Sequence, residues 1–330
     1  MNTLQKTTFT TVLSLAELLE KQPPVQIPAL IEPGLLPAQG ILFVGGEPKL
    51  GKSILVANLA LSLAAGLNLD RLGFAIPARR RVLLCQFELP LPHLLSRLTV
   101  MRQGLGLGAE ADHELLIDTR AAGHLLSAPQ GLAHFLGVAK AASAEVLILD
   151  PLYSAHDQDE NDTRAMAALC QGLLRLRDAS GAALVVVHHS RKSVNRHEVG
   201  SAFRGSSALH AVGDSYLLLT RRSTEQSTLE MRFQFRYADS PPPRRLELDK
   251  STLCFSAASP TPAKAPGRKV EMTHVRQAFA SRGGPVRYNQ LREEIMKRTQ
   301  CSKRTAQLAI TQAAQQGIIL QDNGQYRLSL

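Results

Sequence analysis

Gly46-Glu47-Pro48-Lys49-Leu50-Gly51-Lys52-Ser53 is the stretch that decides the fold of this 330-residue chain. It fits the phosphate-binding pattern G-x-x-x-x-G-K-[ST], and its flanks supply the setting that pattern needs. Before it, Ile41-Leu-Phe-Val44 reads as a buried strand; after it, Ile54-Leu-Val-Ala-Asn-Leu-Ala-Leu-Ser-Leu-Ala-Ala65 reads as a helix ended by Gly66. Gly46 and Gly51 let successive backbone N–H groups wrap phosphates at the positive N-terminus of that helix. Lys52 is placed to reach the β- and γ-phosphates, and Ser53 to offer a hydroxyl to Mg²⁺. ATP and Mg²⁺ are therefore the expected ligands.

Working outward, apolar runs at 41–44, 82–85, 146–149, 184–187 and 216–219 alternate with helical stretches up to about residue 255. Each run is apolar on both faces, as expected of a parallel sheet covered on two sides by helices. The fold class predicted is α/β. Polar residues cluster at the C-terminal ends of these strands, where open α/β sheets bind ligands. The period then changes: Leu229-Glu-Met-Arg-Phe-Gln-Phe-Arg-Tyr237 and Arg245-Leu-Glu-Leu-Asp249 alternate strictly, predicting antiparallel strands that extend the sheet edge.

Three strand ends carry chemistry. Glu145-Val-Leu-Ile-Leu-Asp150 ends in the carboxylate that a P-loop enzyme needs for Mg²⁺, although an Asp there also caps turns. Arg81-Val-Leu-Leu-Cys-Gln-Phe-Glu88 ends in an acid able to polarise an attacking water. Taken alone, Glu88 reads equally as a solvated loop start before Leu89-Pro-Leu-Pro. Leu184-Val-Val-Val-His188-His189-Ser-Arg-Lys192 ends in an imidazole that a γ-phosphate would contact. A shared metal is a poor reading of the two histidines, since neighbours on a strand point to opposite faces.

The first 39 residues read as an arm, with a short helix at about 13–21 and a Pro-broken extended segment. It lies either on its own domain or on a neighbouring subunit. Residues 256–269 are rich in Ala, Pro and Lys, the composition of a linker. Beyond it, residues 270–330 form a small helical unit. Its first helix, near 273–280, stops at Gly283-Gly-Pro285; a second follows Asn289 as cap, and a third follows Ser302 and closes at Gly317. A hairpin over Ile318-Ile-Leu-Gln and Gln325-Tyr-Arg-Leu turns at Asp-Asn-Gly.

Charge points the same way. The chain carries 38 Lys+Arg against 28 Asp+Glu, a net +10, which favours an anionic partner such as nucleic acid. From Arg268 onward eleven Lys/Arg stand against four Asp/Glu. Four scattered cysteines without C-x-x-C spacing read as reduced thiols. The start lacks signal-peptide features, and the longest apolar stretch, at 54–69, is interrupted and short for a membrane span. A cytoplasmic protein without membrane attachment is expected.

The order P-loop, strand Glu88, strand Asp150, His188-His189-x-x-Lys192 and Arg204-Gly-Ser-Ser-Ala-Leu209 resembles the RecA-like ATPases, specifically the RepA-type hexameric helicase group. Asp157-Gln-Asp-Glu-Asn-Asp162 and Met166 share the likeness, which covers about residues 41–249. The resemblance implies Glu88 as catalytic base, Asp150 as Mg²⁺ acid and His189, rather than His188, as γ-phosphate sensor. It implies a loop over 190–203, with Arg191, Lys192 and Arg196, facing single-stranded DNA in the channel of a homo-oligomeric ring. A neighbour's arginine would complete the site. Arg221 matches the finger of phage-type ring helicases. Arg236 matches a Lys-x-Arg pair, although Gln234 replaces the lysine and Asp214 replaces an arginine of the plasmid proteins; Arg204 is third. The C-terminal unit resembles a winged helix-turn-helix. That likeness places Lys303, Arg304 and Gln307 against DNA, or leaves the unit for protein contacts. Together these readings predict a DNA helicase or translocase of a plasmid, phage or other mobile element, or a DNA-binding RecA-like ATPase that acts as an ATP-switched assembly, recombination mediator or regulator without unwinding.

Overall fold

The computed structural model describes residues 12–21, 29–160, 162–189, 199–203, 207–221, 228–258, 270–280, 284–322 and 324–329. The chain divides into two compact units, Met1–Ala258 and Ser259–Leu330. In the first, helices α1 (Leu15–Lys21), α2 (Lys52–Ala65), α3 (Leu91–Gly104), α4 (Pro129–Ala141), α5 (Thr163–Ser180), α6 (Val199–Ala202) and α7 (Ser207–Val212) intersperse nine strands. The strands are β1 (Ile41–Gly46), β2 (Val82–Gln86), β3 (Leu115–Ile117), β4 (Val146–Asp150), β5 (Ala183–His189), β6 (Ser215–Arg221), β7 (Leu229–Phe235), β8 (Arg244–Asp249) and β9 (Cys254–Ala257).

They form one sheet in the order β3-β2-β4-β5-β1-β6-β7-β8-β9. The first six in that order run parallel and the last three antiparallel. The strand order reverses around β1, which pairs with β5 on one side and β6 on the other. A crevice opens at such a reversal, outside the carboxyl ends of the strands.

The period-2 alternation of the strands sorts their residues into two cores. On one face Leu42, Val44, Leu84, Ile148, Val185, Val187 and Leu219 pack with Leu55, Leu59 and Leu63 of α2. On the other, Phe43, Leu83, Leu149, Val186 and Leu218 pack with Phe135 of α4 and Leu169 and Leu173 of α5. Continuing each alternation to the strand end puts Gln86, Asp150 and His189 on the α2 face, and His188 on the opposite one.

Three sequence expectations shift. The arm expected over 1–39 is shorter, because Leu30, Ile31, Leu35 and Leu36 are buried and Ser215 Oγ donates to the Gly34 carbonyl at 3.0 Å. Strand β9 occupies Ser256 and Ala257, read from composition as the start of the linker. It is fastened to α2 by Asn58, whose Nδ2 donates to the Leu253 carbonyl at 3.1 Å and whose Oδ1 accepts the Phe255 N–H at 2.9 Å. A residue that merely interrupted an apolar run thus ties the antiparallel extension to the P-loop helix. The third shift is β3, which no sequence pattern announced.

The second unit has the order α8 (Met272–Ala280), β10 (Val286–Arg287), α9 (Tyr288–Thr299), α10 (Lys303–Gln315), β11 (Ile319–Asp322) and β12 (Gln325–Leu328). Its antiparallel sheet runs β10-β12-β11. Val275, Phe279, Leu291, Ile295, Ile310 and Ile319 share one core. Ser302 caps α10, its Oγ accepting the Thr305 N–H at 3.2 Å. The cap of α9 lies two residues before the expected Asn289: it is Arg287, whose N–H is accepted by Gln290 Oε1 at 3.3 Å. Asn289 lies inside the helix.

Candidate functional site

The loop 47–50 leaves the end of β1 and re-enters α2 through Gly51, the N-cap, at φ 86°. A left-handed turn of this kind admits glycine without a Cβ penalty. Gly46 has φ 150°, and a Cβ there would lie 2.6 Å from the Leu219 carbonyl oxygen on β6. The two glycines of the motif are therefore required by backbone geometry. Within the loop Pro48 and Lys49 are exposed, Glu47 is half-buried and Leu50 is buried in the α2-side core.

Lys52 is buried at 4% exposure, and its Nζ donates to the carbonyls of Gly46 at 2.8 Å and Glu47 at 3.0 Å. Burial pulls its ammonium down to about 8, against the opposing pull of Asp150 and Glu88. Ser53 Oγ donates to Asp150 Oδ1 at 2.9 Å. Asp150 is 3% exposed, and burial pushes its carboxyl up to about 6; the Ser53 hydrogen bond pulls the other way, Glu88 adds to the rise, and the Lys52 and Arg97 charges oppose it. A hydroxyl and a carboxylate in contact, with the carboxylate under-compensated, form an oxygen donor set suited to a hard divalent cation. Ser53 thus meets Asp150 across 97 residues, and the charge of the adjacent Lys52 acts on the same carboxyl.

Gln86 lies beside Asp150 in the β2–β4 register. Its Oε1 accepts the N–H groups of Glu88 at 2.9 Å and Leu89 at 2.5 Å. The turn carrying Glu88 is held by this amide, and Glu88 itself is exposed at the mouth of the crevice. His189 pairs with Gly46 across β5 and β1. Burial lowers its pKa, with Lys52 adding to the effect and Glu88 opposing it, so the ring is neutral at pH 7. Its Nδ1 makes no hydrogen bond among the described residues. His188 turns away from the P-loop, 4.0 Å from Glu160 and near the Phe203 ring, and burial pushes it down to about 4.

Two residues escaped the sequence reading. Gln86 had a signal, since it shares the strand parity of Val82 and Leu84. Arg97 sits at i+3 from Leu94 and i−4 from Met101, in line with the buried stripe of α3. It lines a small cavity together with Ser53, Gln86 and Asp150. Its charge favours ionised Asp150. A cation breaking an otherwise apolar helix stripe was the available clue.

The expected arginines separate. Arg221 ends β6, exposed, opposite Leu229 of β7. Arg236 lies at the other end of the sheet. Its Nη1 bonds Asp214 Oδ1 at 3.0 Å, and its Nη2 donates to the Ala211 carbonyl at 3.2 Å. Arg191, Lys192, Arg196 and Arg204 lie outside the described residues. In the second unit Lys303 and Arg304 are exposed and Gln307 is half-buried, all in the first turns of α10. Among the described residues no helix is long and apolar enough to cross a membrane.

No curated protein matches the chain in sequence. Among solved structures, the ATPase domain of G40P superposes with TM-score 0.51 at 14% identity, over 74% of this chain and 96% of that one. A DnaB-like replicative helicase, solved for its interactions with primase, gives TM-score 0.52 at 14% identity, over 74% of this chain and 68% of that one. At such identity the likeness is one of fold alone, a RecA-like, mostly parallel α/β architecture. The sequence pattern of the AAA domain family matches residues 5–195. With more than half of its length matched, the chain belongs to the AAA domain family.

Proposed function

We propose that this chain is an ATPase that uses hydrolysis to move along or unwind DNA, working as a homo-oligomeric ring, six-membered as the resemblance implies. The observation that carries the reading is the contact of Ser53 with buried Asp150 beside buried Lys52. Ser53 and Asp150 would hold Mg²⁺, which would supply neutralisation of phosphate charge. Lys52 exchanges the Gly46 and Glu47 carbonyls for phosphate oxygens, and the loop N–H groups wrap the remainder. Glu88, fixed by Gln86, accepts a proton from the attacking water. His189, neutral, offers a ring N–H to the γ-phosphate and passes its loss along β5 to the loop that follows.

The site is completed by a neighbour's arginine. Arg221 and Arg236 share the assignment, with Arg204 third; Arg236 is bonded to Asp214 and to the Ala211 carbonyl within its own subunit. Mixing wild type with Arg221→Ala should depress turnover below the linear average. Proportional loss would rule out a shared site through this residue.

The second unit has the helix–strand–helix–helix–strand–strand order of a winged helix, which supports duplex binding through α10. Residues 190–203 are proposed to track single-stranded DNA. The deciding experiment is strand displacement on a forked duplex with ATP. A motor releases the strand; a protein that turns over ATP on DNA but leaves the fork intact is an ATP-switched assembly instead.

A further inference from the structure

Helix α10 divides cleanly. Ala306, Ala309, Ile310 and Ala313 are buried in the core of its unit. Positions 304, 307, 308, 311, 312 and 315 recur at helical spacing on the opposite face. They carry Arg304, Gln307, Leu308, Thr311, Gln312 and Gln315; all are exposed except half-buried Gln307. Leu308 is 62% exposed, a large apolar side chain in the middle of a solvent face. The hydroxyl of Thr311 donates to the Gln307 carbonyl at 3.1 Å, leaving its methyl as the group offered outward. The helix has no acidic residue, and its positive N-terminal turn carries Lys303 and Arg304.

This set of groups matches one base pair better than the other. In the major groove adenine presents N7 as acceptor and N6 as donor, the pair that a glutamine amide satisfies in bidentate fashion. Thymine presents a methyl that apolar side chains cover. Guanine is read by Arg or Lys, and past the first turn the stripe contains neither. An apolar Leu308 set between amides gains nothing from a phosphate but packs on a thymine methyl.

We infer that α10 reads A·T base pairs in duplex DNA, with Gln307 and Gln312 on adenine, Leu308 and the Thr311 methyl on thymine, and Lys303 and Arg304 on flanking phosphates. The inference rests on the winged-helix reading of residues 270–330. It gives that unit a class of target sequence rather than general affinity for DNA.

The test uses the full chain without nucleotide, so that ATP-driven movement does not contribute. Blunt duplexes with a randomised centre are selected for binding, and the winner is compared by fluorescence anisotropy with a version carrying G·C pairs at the enriched positions. Selected duplexes should be A·T-rich and bind at least about tenfold tighter than the G·C version at fixed salt. Leu308→Ala and Gln312→Ala should remove that preference while leaving affinity for the G·C duplex within about twofold. Lys303→Ala and Arg304→Ala should weaken both duplexes alike and flatten the salt dependence.

Sequence-independent affinity that still responds to Lys303 and Arg304 would overturn the A·T assignment while sparing the winged helix. Duplex affinity indifferent to all four substitutions would remove the winged-helix reading itself. A change in self-association on Leu308→Ala, with DNA binding intact, would make the stripe a protein contact and overturn the inference. Both Leu308 and Gln312 are exposed, so these variants fold as the parent does.

Discussion

The two ends of the central sheet each bury an aspartate, and they treat it in opposite ways. At the start of β1, Asp214 Oδ2 accepts the Ile41 N–H at 2.9 Å and Oδ1 accepts Arg236 at 3.0 Å. The adjacent backbone closes the arrangement, with Asp214 N donating to the Ile41 carbonyl and Arg236 N to the Asp214 carbonyl, each at 2.9 Å. At the opposite end of the sheet, where β4 ends, Asp150 accepts one hydroxyl among the described residues, and Lys52 has backbone carbonyls as partners. Both groups there are driven toward neutrality, Asp150 up to about 6 and Lys52 down to about 8. Burial with full pairing stabilises a fold, whereas burial with partial pairing costs stability until a ligand completes the set. One end serves the fold; the other keeps the open set that the proposed ligand would complete.

Substitutions at the two ends should therefore fail differently. The largest effect falls on chemistry: Glu88→Gln should cut ATP turnover by roughly 100-fold or more, with Mg-nucleotide binding retained. Turnover near the wild-type rate would remove Glu88 as base. Next comes stability at the opposite end. Asp214→Ala leaves the Ile41 N–H and Arg236 without their partner and should cost about 3–5 kcal/mol in urea unfolding. A loss below about 1 kcal/mol would erase the contrast between the ends.

Asp150→Asn should act in the reverse sense on the ligand-free protein. The folded pKa of about 6 lies above the ordinary 3.8, so the folded state holds the proton longer. The stability this provides is complete below about pH 4 and is lost as pH rises through 6. The variant should match wild type at pH 4 and exceed it at pH 7 by about 1–3 kcal/mol, while losing stabilisation by Mg-ATP. A variant less stable at pH 7 would mean that Asp150 is already well compensated. The smallest effect belongs to Arg97→Ala, expected to lower turnover about threefold and move the acidic limb of the rate profile upward, on the order of 1 kcal/mol for an exposed charge. An unchanged acidic limb would confine Arg97 to the surface.

What the sequence disclosed follows the same division. The P-loop was legible because phosphate binding by consecutive backbone groups needs contiguous residues. Asp150 was legible because an acid ending a wholly apolar strand stands out. The five longer parallel strands were legible because both of their faces are buried. Strand β3 was not, since its three half-buried residues leave no run to detect, and β9 was masked by the Ala- and Pro-rich composition after it. Arg97 was marked by its place in the stripe of α3, but that this stripe packs against α2 is set by tertiary contacts. The Asp214–Arg236 pair spans 22 residues. Arg236 was read singly, as a candidate finger, and the register of β6 and β7 brings it to Asp214.

The central claim is that Lys52, Ser53 and Asp150 await a Mg-nucleotide. Calorimetric titration of a non-hydrolysable ATP analogue with Mg²⁺ into wild type and Lys52→Ala tests it most directly. Saturable binding by wild type, lost in the variant while its fold persists, is the predicted result; no binding by wild type, or equal binding by both, would contradict it.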